Sequence, residues 1–160
     1  MVLQLKELFA GGVPRVDFDY ELDLSGYEAA DGSRPFSEPV HVAGSAVNRA
    51  GAVSLEGRAD FSWHARCDRC LTPIDMAGSV PLAGLLVAEN PVDEPESTQW
   101  RREGADELIP CLGDRLDLDE LVRSLVVLSL PMKNLCREDC KGLCPVCGHN
   151  LNESDCGCER

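Results

Sequence analysis

The sequence predicts an α+β protein: an antiparallel β-sheet, one amphipathic helix packed on it, and a C-terminal cysteine-rich tail bound to zinc. Apolar and polar residues alternate with period two through most of the N-terminal half. One later stretch changes to helical spacing, and six of the nine cysteines lie beyond Leu135. Period two places one face of a strand in a core, whereas a 3.6-residue period does the same for a helix.

Val16, Phe18, Tyr20, Leu22 and Leu24 alternate with Asp17, Asp19, Glu21 and Asp23, which makes a half-buried strand with an acidic solvent face. A Gly-, Ser- and Pro-rich loop spans Ser25 to Pro39. The alternation resumes at Val40, Val42, Gly44 and Ala46, and a turn follows at Asn48-Arg49-Ala50-Gly51. Val53, Leu55, Gly57, Ala59, Phe61, Trp63 and Ala65 lead into Cys67, and beyond Cys70 the pattern returns at Ile74, Met76, Val80, Leu82 and Leu86. Four or more antiparallel strands are expected, with Cys67 to Pro73 at the tip of the longest hairpin.

Residues 89–107 carry seven acidic residues with Pro91 and Pro95, and are expected to be a solvated loop. A helix is expected over 118–130. Asp117 caps it, Glu120 completes a capping box, and Leu118, Leu121, Val122, Leu125 and Val126 form its apolar stripe. Pro131 ends it. The domain division expected is a β-rich unit over 1–131 and a zinc-binding tail over 132–160, the tail having too few large apolar residues to fold on burial alone.

Eight of the nine cysteines form four close pairs: Cys67/Cys70, Cys136/Cys140, Cys144/Cys147 and Cys156/Cys158. A C-x-x-C turn points two sulfurs at one ion, and tetrahedral Zn²⁺ takes two such pairs at about 2.3 Å per Zn–S bond. Two structural zinc ions are therefore expected. The preferred grouping joins Cys144, Cys147, Cys156 and Cys158 within the tail, and clips Cys67 and Cys70 to Cys136 and Cys140. A rotated grouping, Cys136/Cys140 with Cys144/Cys147, satisfies the same count.

Thiolates can fill all four positions, whereas a catalytic zinc keeps one open and takes His or carboxylate among its ligands. No enzymatic role and no small-molecule substrate are expected. Cys111 reads as a small buried or half-buried residue, His149 as a surface turn residue with metal ligation as its alternative, and His64 as an exposed strand residue.

The formal charge of −13 opposes bulk attraction to nucleic acid and favours a basic protein partner. Arg66, Arg69, Lys133, Arg137 and Lys141 nevertheless cluster around the cysteine pairs. They either offset the negative Zn–thiolate centres or form a small phosphate-contacting patch. No stretch is apolar and long enough to span a bilayer, and Met1 to Gly12 lacks the core of a signal peptide. Reduced thiols and a cytoplasmic location are the expectation, with no membrane contact.

The C-D-R-C-L run at Cys67 to Leu71, the segment LDELVRSLVVLSLP at Leu118 to Pro131, and above all CREDCKGLCPVCGHNLNESDCGC at Cys136 to Cys158 resemble the YceD family of large ribosomal RNA subunit accumulation proteins. The resemblance implies a factor in 23S rRNA accumulation or processing and large-subunit assembly. Its implied partner is a large-subunit precursor, met through a basic ribosomal protein or 23S rRNA. Family members that lack the tail but keep the first C-x-R-C pair imply that Cys67 and Cys70 serve a separate centre. A thiol redox sensor or zinc-handling protein is the competing expectation; it requires a labile site with accessible thiols.

Overall fold

The computed structural model describes residues 1–89 and 108–158. In chain order they form β1 (Val2–Gln4), α1 (Lys6–Phe9), β2 (Arg15–Leu22), β3 (Val40–Arg49), β4 (Ala52–Arg66), β5 (Pro73–Glu89), β6 (Leu108–Leu112), β7 (Arg115–Asp117) and α2 (Leu118–Ser129). The strands make one seven-stranded sheet in the order β1-β7-β6-β5-β4-β3-β2.

The sheet is mixed, which corrects the antiparallel expectation. β5 and β6 run parallel, in register from Leu85↔Leu108 to Glu89↔Leu112, and every other neighbouring pair is antiparallel. Parallel neighbours need a long connection; the chain between these two is 90–107. Period-two patterning reveals a strand's faces but not its direction, so the alternation carried no sign of this pairing. Of the acidic loop expected over 89–107, Glu89 belongs to β5 instead, and the remainder lies outside the described residues.

β2 stops at Leu22 rather than Leu24, where Asp23 accepts a hydrogen bond from the Ser25 N–H (2.8 Å) and turns the chain. β3 and β4 are joined at Ala50-Gly51, both with positive φ, and Gly51 donates to Asn48 Oδ1 (2.9 Å). Such two-residue turns match the twist of the strands they connect. β4 and β5 pair over 13 rungs, from Ser54↔Leu85 to Arg66↔Pro73, and deliver residues 67–72 to the far end of the sheet.

The concave face buries Phe18, Val42, Ala59, Phe61, Leu82 and Leu86, and α2 lies against it through Leu118, Val122 and Val126. Asp119 on α2 accepts from Tyr20 of β2 (2.8 Å) and from the Met1 amine beside β1. The two edge strands thus reach the same helix, so the sheet is curled around it. Burial, with Asp117 nearby, pushes the Tyr20 phenol up to about 12.

Asp117 caps α2 by accepting from the Glu120 N–H (3.2 Å), but the Glu120 carboxylate turns to Arg123 (3.1 Å). Only half of the expected capping box forms, and α2 ends at Ser129, one residue early. Among the described residues no helix is long and apolar enough to cross a membrane.

Leu118→Ala should lower unfolding free energy by about 2–5 kcal/mol in urea titrations. Leu128→Ala, on the exposed side of the same helix, should change it by less than about 0.5 kcal/mol. Equal effects would mean that the helix does not pack as described.

Candidate metal centres

The long hairpin and the end of α2 bring two distant cysteine pairs together. At the hairpin tip the Cys67 N–H donates to Thr72 O (2.9 Å) and the Leu71 N–H returns to Cys67 O (2.8 Å). Past Pro131 the chain is clasped to this tip: Asp68 N–H donates to Asn134 O, and Asn134 N–H to Asp68 Oδ2, both at 2.8 Å. The next two residues carry the chain to Cys136, and a short turn carries it to Cys140.

The Cys67 and Cys140 sulfurs lie 3.7 Å apart, those of Cys70 and Cys136 3.6 Å apart, and all four fall within 4.8 Å of one another. A disulfide would hold two sulfurs at about 2.05 Å, whereas the edge of a tetrahedron with about 2.3 Å metal–sulfur bonds is about 3.8 Å. The four sulfurs stand where a tetrahedral ion would hold them. Cys67, Cys70 and Cys140 are buried, packed by Leu135 and Leu143, while Cys136 is the more open of the four.

Cys144, Cys147, Cys156 and Cys158 form a second tetrad, again with all sulfurs within 4.8 Å. The grouping found is therefore hairpin with Cys136/Cys140 and tail with tail, not the rotated one. Gly148 N–H donates to Cys144 O (2.9 Å), as Leu71 does to Cys67 O. The two knuckles share one backbone shape, with positive φ at Leu71 (60°) and at Gly148 (73°). Leucine in this conformation costs about 1–2 kcal/mol, so the hairpin tip holds its turn against local preference.

The thiols divide in each tetrad. Backbone N–H groups aimed at sulfur, led by that of Cys136, bring Cys67 down to about 6, and those of Cys147 and Val146 do the same for Cys144. The Thr72 hydroxyl and N–H lower Cys70. Burial and the adjacent thiols push Cys136 up to about 12, and contacts with Cys147 and Cys156 do so for Cys158. Four thiols this close cannot all ionise without a cation between them, and a divalent ion reverses that balance. Both tetrads can hold a metal ion.

All five cations expected near the cysteines are exposed. Arg69 donates to Cys140 O (2.9 Å), and Arg137 reaches Asn152 Oδ1 (2.7 Å) and Asp139 (3.4 Å). Arg66, Lys133 and Lys141 have no carboxylate within ion-pair distance among the described residues. Arginines on the sheet differ: Arg15, Arg49 and Arg58 pair with Asp17, Glu56 and Asp60.

His149 bonds Ser154 Oγ (2.9 Å) and stands outside the sulfur tetrads. His64 is exposed, hydrogen-bonded to Ser37 and to Asp75 (2.5 Å). Asp75 is 84% exposed on the open side of the sheet, so water screens this chain of groups. Cys111 is buried in the concave core, its Sγ 3.8 Å from Ile109 O.

Asn152, which the sequence did not single out, donates through Nδ2 to Cys140 Sγ (3.3 Å). Thr72 and Asn134 likewise emerge only from folding. Thr72 and Asn134 each stand two residues from a cysteine, which was the signal available; that Asn134 clasps Asp68 and Asn152 reaches Cys140 are contacts that spacing along the chain does not encode.

Among family models, the one described as large ribosomal RNA subunit accumulation protein YceD matches residues 55–160, a span containing all eight clustered cysteines. An uncharacterized protein of Mycobacterium tuberculosis is 34% identical over 82 residues, covering 51% of this chain and 37% of that protein. Two chloroplastic proteins, each named large ribosomal RNA subunit accumulation protein YCED homolog 1, are also similar. The one from Zea mays is 27% identical over 76% of this chain and 49% of its own, and the one from Arabidopsis thaliana 26% over 79% and 46%. The chain thus spans about half or less of the length of the relatives it matches. No solved structure matches it.

Because thiols must lose their protons to bind metal, acid competes with the ion. Metal held at about pH 7.5 should be released as pH falls below about 6, where even Cys67 and Cys144 take up protons. A chromophoric metal indicator would follow the release. Full retention at about pH 4 would contradict thiolate-only ligation.

Proposed function

The chain belongs to the YceD family of large ribosomal RNA subunit accumulation proteins, and from that premise we propose that it is a zinc-binding, non-enzymatic factor for 23S rRNA accumulation and large-subunit assembly in the cytoplasm. The observation carrying this reading is that the family match encloses both sulfur tetrads. The matched span thus includes every residue that would hold metal.

Zinc is favoured by the donor set. Four thiolates in a closed tetrahedral arrangement suit a borderline-soft ion without redox chemistry, and leave no coordination position for water. The ions are scaffold. The proposed partner is a large-subunit precursor, approached mainly through a basic ribosomal protein because the chain carries a net charge of −13. Arg66, Lys133 and Lys141, without a carboxylate partner among the described residues, supply the local phosphate contact that bulk repulsion otherwise opposes. The thiol-redox alternative draws on the low pKa of Cys67 and Cys144, but both sulfurs are buried, which restricts their access to an oxidant.

Elemental analysis should give two zinc ions per chain, falling to one in Cys67→Ser/Cys70→Ser or in Cys156→Ser/Cys158→Ser. Two ions retained in either variant would refute the ligand assignment.

Depletion of the protein in its host should lower 23S relative to 16S rRNA. Wild type should restore the ratio, while Lys133→Glu/Lys141→Glu should keep both zinc ions yet bind precursors more weakly and restore the ratio incompletely. An unchanged ratio on depletion would sink the function, and full rescue by the charge-reversed variant would remove the patch from it.

A further inference from the structure

We propose that Asn152 couples the two sulfur tetrads, so that filling the tail centre raises the metal affinity of the hairpin centre; this rests on reading both tetrads as metal centres. Asn152 belongs to the loop 148–155, which runs between Cys147 and Cys156 and is therefore closed by the tail tetrad. Its side chain, however, is spent on the other tetrad. Nδ2 donates to Cys140 Sγ (3.3 Å) and to Asn150 Oδ1 (2.9 Å), while Oδ1 accepts from the Lys141 N–H (2.8 Å) and from Arg137 Nη2 (2.7 Å).

An amide has two donors and two acceptor sites, and all four are engaged. The orientation is forced by chemistry: turning the amide over would set Oδ1 against a thiolate and Nδ2 against two donors. A hydrogen bond to the Cys140 sulfur holds it in place at its corner of the tetrad, facing the other three sulfurs. Partners of this kind typically alter metal affinity by about 10–100-fold.

The rest of the junction supports transmission. Leu151 N–H donates to Gly142 O (2.9 Å), Leu143 N–H to Arg69 O (3.1 Å), and Leu143 pairs with Asn150 in an isolated antiparallel bridge. Gly142 has φ +76°, and a Cβ there would stand 3.0 Å from Arg69 O, so the tail passes too close to the hairpin for a side chain. Closing loop 148–155 around the second ion thus fixes the backbone that presents Asn152 to Cys140. Coupling of this type is reciprocal, so an ion in either centre tightens the other.

The test is titration of the reduced, metal-free chain with Co²⁺, following sulfur-to-cobalt absorption, together with zinc competition against a chromophoric chelator. Cys156→Ser/Cys158→Ser isolates the hairpin centre. Its affinity should fall by about 10–100-fold relative to the same centre in the intact chain. Asn152→Ala in the intact chain should produce a loss of similar size, but little further loss in the Cys156→Ser/Cys158→Ser background.

Asn152→Asp keeps both acceptor contacts, removes the donor to Asn150 Oδ1 and, above all, removes the donor to sulfur; it should weaken the hairpin centre at least as much as alanine does. Loss of that donor should also move the sulfur-to-cobalt absorption to lower energy, a shift that a purely structural defect would not produce. Two ions bound independently, or an Asn152→Ala effect equal in both backgrounds, overturns the coupling alone. Failure of either tetrad to take up metal overturns the metal reading and this inference with it.

Discussion

Past Pro131 the described chain buries only Cys140, Cys144 and Leu151 among its apolar residues, so the tail has no hydrophobic core of its own. Burying one leucine contributes about 1.5–3 kcal/mol, while ordering each residue costs about 1–2 kcal/mol in backbone entropy. Packing cannot hold some 25 such residues. Sulfur-bound metal can, since structural zinc is worth about 10–16 kcal/mol in small peptides at neutral pH. The rest of the molecule is arranged around that constraint. A 13-rung hairpin carries Cys67 and Cys70 to the place where α2 releases the chain, and the Asp68–Asn134 clasp aligns the tail before Cys136 arrives.

Charge is distributed to suit two different surroundings. On the sheet, acidic residues alternate outward along β2, and Arg15 of β2, Arg49 of β3 and Arg58 of β4 are matched to carboxylates within 3.0 Å. Around the tetrads the balance changes, because four thiolates around a divalent ion carry a formal charge of −2. There Arg69 and Arg137 turn toward the tail itself, while Arg66, Lys133 and Lys141 point no salt bridge at any described carboxylate. Two members of the cluster are thus engaged with the tail, and three have no carboxylate partner among the described residues.

The split thiol acidities express the same physics locally. N–H groups directed at Cys67 and Cys144 lower one thiol in each tetrad, while burial and neighbouring thiols raise Cys136 and contacts with Cys147 and Cys156 raise Cys158. The backbone dipoles are built into the knuckle turns, so this bias is present before metal binding. Leu71 shows how firmly the turn is imposed: it adopts the left-handed conformation that glycine takes in the matching position of the other knuckle.

Local pattern was legible wherever one element decides its own conformation. Alternation along Val53 to Ala65, the stripe from Leu118 to Val126, the stop at Pro131 and the pairing of cysteines by twos all follow from backbone periodicity and ligand reach over a few residues. Direction and partnership were not legible in that way. The parallel β5–β6 pairing, the Glu120 carboxylate that turns to Arg123 instead of completing its box, and the set of sulfurs that meets at each tetrad depend on groups far apart in sequence. Asn152 is the clearest case: nothing in its neighbours marks it, and it gains meaning only because the tail folds back on the hairpin. Sequence by itself determined that eight cysteines come in ligand-spaced pairs and where the longer strands and the helix lie, since those are short-range questions of period and spacing. Which sulfurs meet in each tetrad, and which side chain reaches from the tail loop to the hairpin tetrad, was decided by tertiary structure, because sulfur geometry and hydrogen-bond satisfaction are settled in space.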